Sequence, residues 1–321
     1  MVAGELIRKE VRQHWVQLLL TCLTIGFWIP IGIWTHYLEL KNLKEDQYYA
    51  DMYEINFEFS DPAFFFNVLI ITLAIVQIGN ERSNGSLEYT LSLPFSRQSI
   101  FLFKWLVGFG VIFISCLISF GLSALIITNT DIYSDNFISY FTYLIEALLL
   151  FYTLTLSAGA ITGSAFAQGL VALTVAILPF LLFGLYTVQL EAITGPSVLY
   201  SNEKFYEVIS KMTPLTYVFF KNNFLISKDY ITPIIEILLF FAFGLYIFVK
   251  QPFERNGSFF IWKPFERPVQ MIVILLGILG FSSFGYLSSE DNSMIGYFIG
   301  AAIGAFIGFI VSYFVIYKKK K

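Results

Sequence analysis

An all-α polytopic membrane protein is the fold class this sequence predicts: about eight transmembrane helices, an N-terminal interfacial helix and one short cytoplasmic helix. Three observations carry the prediction. Hydrophobic residues make up 57% of the 321 and charged residues only 13%, with a mean hydropathy of +0.70, where a soluble domain would carry about 25% charged residues. Apolar runs near 20 residues, the length a helix needs to cross the hydrocarbon core, recur eight times along the chain. Lysine and arginine gather in one alternate set of connecting loops, as the positive-inside rule requires of a spanning chain.

The elements follow in order. In residues 1–14, Glu5, Arg8, Lys9 and Arg12 recur at i, i+3, i+4, i+7 on one helical face, with Leu6, Ile7 and Val11 on the other. That pattern predicts a helix lying in the headgroup layer, its basic face toward anionic lipid or a cytoplasmic partner. Spans then run roughly Trp15 to Tyr37, Pro62 to Gly79, Phe103 to Thr128, Phe141 to Gly163, Gly169 to Leu190, Tyr230 to Val249, Pro268 to Leu287, and Met294 to Tyr317. Only Ser164 to Gln168 separate the fourth and fifth, so these two form a tight helical hairpin. The organisation is therefore an interfacial segment (1–14), a six-span core (15–249), and a cytoplasmic loop with two additional spans (250–321).

Eight spans put both termini on one face. With that face cytoplasmic, 14 of the 20 basic residues lie inside, among them Arg8, Arg82, Arg97, Lys104, Lys250 and Lys318 to Lys321. The first outer loop, Leu38 to Asp61, holds seven acids against two lysines. It is either a plain solvated loop or an acidic vestibule for a cationic substrate. The first apolar run is long, contains Pro30 and has no small-x-small cleavage site, so no removable signal peptide is expected. Cys22 and Cys116 fall inside different apolar runs and read as small buried residues rather than a disulfide framework. Gly296, Gly300, Gly304 and Gly308, each four apart in the last span, form one groove that admits another helix backbone, from this chain or from a second subunit.

Nothing catalytic is visible. His14 and His36 have no His or Cys neighbour at metal-ligand spacing, so no metal site is expected. No G-x-x-x-x-G-K-[ST] loop occurs, and no cytoplasmic loop is long enough for a nucleotide-binding domain. The one long polar interruption between spans is Glu81 to Lys104. Its charges cannot sit in hydrocarbon, where each costs a few kcal/mol, so it lies on a membrane face within reach of a soluble partner. Gly85 permits a sharp turn in and Pro94 a sharp turn out. Between them Leu87, Thr90 and Leu91 share one helical face, while Glu88 and Arg97 supply charge.

This stretch resembles the loop between the second and third spans in permease subunits of ABC-2-type transporters. The residues that carry the likeness are Glu81, Arg82, Gly85-Ser86-Leu87-Glu88, Leu91-Ser92-Leu93-Pro94, Ser96-Arg97 and Lys104. The resemblance implies that Glu81 to Arg97 hold a coupling helix through which a separate cytoplasmic ATPase acts, and that 15–249 is the permease core. Glu81, Arg82, Gly85, Leu87, Glu88, Leu91, Pro94 and Arg97 are then the coupling residues. Met212-Thr213-Pro214-Leu215-Thr216-Tyr217 resembles a Ser/Thr-Pro-Leu-Tyr stretch in the corresponding outer loop of the family. Most members have six spans; Lys250 to Pro268, with Phe253-Glu254-Arg255-Asn256-Gly257 and Lys263-Pro264, resembles an eight-span Gram-positive branch linked to responses to cell-wall-active antibiotics or to small-molecule uptake.

The resemblance further implies a second permease copy or homologue, contact with membrane lipids, residence in a bacterial plasma membrane, and export of an amphipathic peptide, lipid-linked molecule or drug. It implies no nucleic-acid partner and no cofactor on this chain, ATP and magnesium belonging to the ATPase. Two acids remain inside spans, Glu146 and Glu236. They line a substrate pathway, or they reach the outer headgroups or bond a neighbouring hydroxyl. Two other classes stay open: a non-transporting antibiotic or lipid sensor, and an ion-coupled secondary transporter, which would need acids nearer the midplane.

Overall fold

The computed structural model describes residues 2–42, 60–130, 132–134, 136–195, 203–219, 229–252, 257–289 and 293–317. Most of the acidic loop Leu38 to Asp61, parts of Pro196 to Asp229, Glu254, Arg255 and Lys318 to Lys321 lie outside the described residues. Among the described residues there is no strand, and eight helices are long and apolar enough to cross a membrane.

The first is α1 (Val2–Asn42). The basic N-terminal turns and the first span are two helical stretches that meet at a kink at His14, whose φ of −116° and ψ of 18° are not helical. Leu6 and Glu10 of the first stretch are buried. Next come α2 (Ser60–Ile75), a π-helical turn over Val76–Asn80, and α3 (Glu81–Ser83). The short α4 (Ser86–Ser92) leads to α5 (Arg97–Thr128), whose N-terminus is capped by Ser96 Oγ accepting from the Ser99 amide at 3.1 Å.

The fourth span, α6 (Phe137–Ile161), is the centre of the molecule. An unbroken run from Ala147 to Ala160 is buried, with α2, α5, α7 and α10 packed around it. The turn to α7 (Ala165–Thr194) is Thr162 to Ser164, earlier than expected. Gln168 lies inside α7 and is fully buried, its Nε2 donating to Ala74 O at 3.0 Å and Thr155 O at 2.9 Å. Those two carbonyls belong to different helices, so one amide ties three spans together. Two short helices, α8 (Glu203–Lys211) and α9 (Thr216–Phe219), precede α10 (Ile231–Lys250), α11 (Glu266–Leu287) and α12 (Met294–Tyr317).

Helices α11 and α12 form a close pair that meets the core chiefly along α7. A Cβ at Gly296 would lie 2.5 Å from Gly285 O, and one on Gly300 or Gly304 would strike Phe281 O or Gly277 O. Gly308 faces the backbone of Ile274 in the same way. The four-residue glycine stripe thus lets two backbones touch within this chain. Large apolar side chains on α1, α5, α7, α11 and α12 face outward, including Trp15, Ile31, Ile114, Phe166, Met271 and Phe306. Such a continuous exposed apolar belt requires hydrocarbon around it.

Candidate functional site

Segment 81–97 is built as a buried base carrying an exposed helix. The base begins at the π-turn of Val76–Asn80, a backbone expansion frequent at functional sites. It aims buried Gln77 at the centre of the bundle, where its Nε2 donates to Lys104 O at 3.2 Å. The Tyr152 hydroxyl of α6 lies 2.7 Å from Gln77 Oε1 and 2.8 Å from the same Lys104 carbonyl.

Directly below is a cluster of four ionisable side chains from three spans. Lys104 Nζ, on α5 and fully buried, donates to Glu81 Oε2 at 2.8 Å and to Glu10 Oε1 at 2.6 Å. The other oxygen of Glu81 lies 2.8 Å from His14 Nε2. Glu10 Oε2 is 3.7 Å from the same imidazole nitrogen and has no hydrogen-bond partner. Glu10, His14 and Glu81 hold their ligand atoms within 4.8 Å of one another, a donor set that a divalent metal accepts. The ammonium of Lys104 stands against both carboxylates, so the cation serving this cluster is Lys104 itself.

Arg82 points the other way, across the bundle end. Its Nη1 donates to Gly159 O at 2.6 Å and to Thr162 O, at the α6–α7 turn, and its Nη2 donates to Gln251 Oε1 at 2.6 Å. Arg97 closes the segment by donating from Nη1 to Val249 O at 3.0 Å and Gln251 O at 2.8 Å. These carbonyls end α10 and would otherwise lack partners. Charge-assisted hydrogen bonds of this kind are about twice as strong as neutral ones.

The exposed part is α4. Gly85 precedes it with φ of +75°, the left-handed region that favours glycine. Leu87 and Thr90 are buried and Leu91 is half-buried, which seats the helix. Lys9 Nζ of α1 donates to Thr90 Oγ1 and holds it from the side. Glu88, Tyr89 and Ser92 face outward, with Tyr89 67% exposed, and Pro94 is exposed in the return.

The geometry revises the sequence reading on several points. Arg97 was expected, with Glu88, to supply charge to a partner, but it spends its guanidinium on the end of α10, and Glu81 and Arg82, named as coupling residues through the resemblance, are buried. The cause is position. They sit where spans end, beside unsatisfied helix carbonyls and opposite charges from other spans. Of the four charged residues in 81–97, Glu88 alone is exposed. Tyr89 was passed over, although a 3.6-residue period places it with Glu88 and Ser92, opposite Leu87 and Leu91. The i, i+4 spacing of Glu10 and His14 was a legible signal for the cluster; Gln77, Tyr152 and Gln251 had none.

At the other end of the bundle, Glu146 of α6 and Glu236 of α10 are half-buried, and Oε2 of each is enclosed without a hydrogen-bond partner. Tyr217 lies near both. Burial first, then the carboxylates of Glu236, Asp229 and Glu146, hold its hydroxyl above the ordinary tyrosine value. Tyr143 stacks on Tyr230 with centroids 4.7 Å apart. Asp229 itself stays below the usual carboxylate range. Its burial would raise it, but hydrogen bonds from the Thr232 side chain, from the Thr232 and Ile231 amides, and the Lys211 charge outweigh that.

Comparison with known proteins fits this geometry. Residues 7–252 match the model of the ABC-2 family transporter protein. The "probable ABC transporter permease YtrD" of Bacillus subtilis (strain 168) is 39% identical, the alignment covering 98% of each chain. The "probable ABC transporter permease YtrC" of the same organism is 38% identical over the full length of both. No solved structure matches. A family match across the six-span core, with two permeases aligned from end to end, establishes that the chain belongs to the ABC-2 transporter family, as a multi-pass permease.

Proposed function

We propose that this permease is the membrane-spanning subunit of an ATP-driven exporter and that a separate cytoplasmic ATPase drives it through α4. The observation that carries the reading is the contrast within one segment. An exposed face of Glu88, Tyr89 and Ser92 rests on a base whose side chains bond α1, α5, the α6–α7 turn and the end of α10. A helix held this way passes a rigid push from outside to four spans at once, because the bonds resist bending of the segment itself. ATP and magnesium act on the ATPase; two permeases, identical or homologous, enclose the pathway. The lysine and arginine distribution supports cytoplasmic termini and a bacterial plasma-membrane location.

Glu146 and Glu236 fit a pathway that meets a cationic or polar group of an amphipathic cargo, such as a peptide, a lipid-linked molecule or a drug. Intramembrane acids with unsatisfied oxygens are costly unless they do such work. Replacing each by Gln tests this: altered transport or resistance is expected, and unchanged activity in both variants removes the role. The main reading is tested by purifying the complex in mild detergent with wild-type or Glu88→Lys permease. A nucleotide-hydrolysing companion should co-purify, and the charge reversal should weaken that association or uncouple hydrolysis. No change in either would overturn it.

A further inference from the structure

The connection between the sixth and seventh spans is fastened to the coupling segment. Gln251, 3% exposed, accepts from Arg82 through its side chain at 2.6 Å and from Arg97 through its carbonyl at 2.8 Å. Those two arginines lie on either side of α4, so both ends of the coupling segment converge on one residue of this connection. A few residues on, the chain pairs antiparallel with the α6–α7 turn. Gly257 N–H donates to Gly163 O at 2.9 Å, Gly163 N–H to Phe259 O at 3.2 Å, and Ile261 N–H to Ile161 O at 2.9 Å. Phe260 and Ile261 are buried there. Arg82 grips the same turn through Gly159 O and Thr162 O.

The helix pair that follows is held at a second place, far from the first. Gln189 Nε2, near the opposite end of α7, donates to Leu279 O at 3.2 Å, Ser282 Oγ at 3.0 Å and Ser283 Oγ at 2.9 Å of α11. The Tyr297 hydroxyl of α12 donates to Gln189 Oε1 at 2.5 Å. Fixed together by their glycine stripe, α11 and α12 are a stiff rod attached at two points. The attachment at the α4 end begins at Gln251, one residue before the family match stops.

We propose that Gln251 and the paired segment 257–261 form a joint that carries movement of the coupling segment into the last two spans, with Gln251 as its positioning residue. The proposal rests on α4 being the coupling helix. The α11–α12 pair then takes part in each cycle instead of standing passively at the edge of the permease.

The test uses the complete complex with its ATPase, carrying distance labels on noncanonical residues in a background without Cys22 and Cys116. One label pair reports Asn84 against Phe113 of α5, the other Met271 of α11 against Phe113. Trapping with Mg-ATP and vanadate should shift both distances in the wild type. Gln251→Ala should keep the Asn84 shift and lose at least half of the Met271 shift, and Gln251→Glu, which still accepts from Arg82, should restore it. A disulfide between Thr162→Cys and Phe260→Cys should also restore it in Gln251→Ala. These two face each other as the closer, non-hydrogen-bonded kind of antiparallel pair. A Met271 shift that survives Gln251→Ala intact, or is absent in the wild type while Asn84 moves, overturns the joint. An Asn84 distance that never moves overturns the coupling reading beneath it.

Discussion

Replacing Lys104 by Met tests the buried base most sharply. Methionine keeps the length and flexibility of the chain, so packing changes little, but the ammonium that touches Glu10 Oε1 and Glu81 Oε2 is removed. Breaking a buried ion pair by deleting one partner costs about 3–5 kcal/mol. Here one fully buried ammonium serves two buried carboxylates, so the expected loss is at the upper end, about 5 kcal/mol. That is comparable to the whole stability of a typical domain. Neutralising the stranded acids as well, in Lys104→Met with Glu10→Gln and Glu81→Gln, removes the uncompensated charge. It should recover most of the loss, leaving about 1–2 kcal/mol for imperfect hydrogen bonds. Unfolding in mixed micelles, followed by tryptophan fluorescence, measures both. A single variant within about 1 kcal/mol of wild type, or a triple variant less stable than the single one, would refute the idea that Lys104 neutralises this cluster.

Other outcomes follow from individual contacts. Tyr89→Ala should leave thermal unfolding unchanged, since the ring is exposed, yet weaken ATPase association about tenfold or more, as loss of an anchoring aromatic does. Gly108→Ala places a Cβ against the Tyr152 ring and should destabilise by about 1–3 kcal/mol through overpacking, read as a lower unfolding midpoint. Gly110→Ala, two residues along the same helix with open space beside it, should stay within about 0.5 kcal/mol of wild type. Gly300→Val should drive α12 off the Phe281 backbone and lower the unfolding midpoint, while Gly280→Ala, facing open space, should not.

Much of the fold was legible in the sequence because membrane spans announce themselves by length and hydropathy, which need no knowledge of partners. The eight spans, the glycine stripe of α12 and the Leu87–Thr90–Leu91 face of α4 all follow from periodicity. What periodicity does not carry is which polar side chains meet across 67 to 169 residues of chain. Glu81 and His14, Arg82 and Gln251, and Gln77 and Tyr152 are such pairs. A charged residue near a span end reads as exposed until the helix beside it is known. Arg97, expected to supply charge to a partner, was misread for that reason. The burial of Glu10 was hidden likewise, because its partner Lys104 lies on another span.

The central claim is that the outward face of α4 meets an ATPase, and photo-crosslinking from position 89 in native membranes tests it most directly. A photoreactive residue in place of Tyr89 should give an adduct with a nucleotide-hydrolysing polypeptide, while one in place of Tyr186, exposed toward the opposite end of α7, should not. Labelling of position 89 from outside intact cells by an impermeant reagent, or an ATPase adduct formed from position 186 but not from 89, would contradict the account.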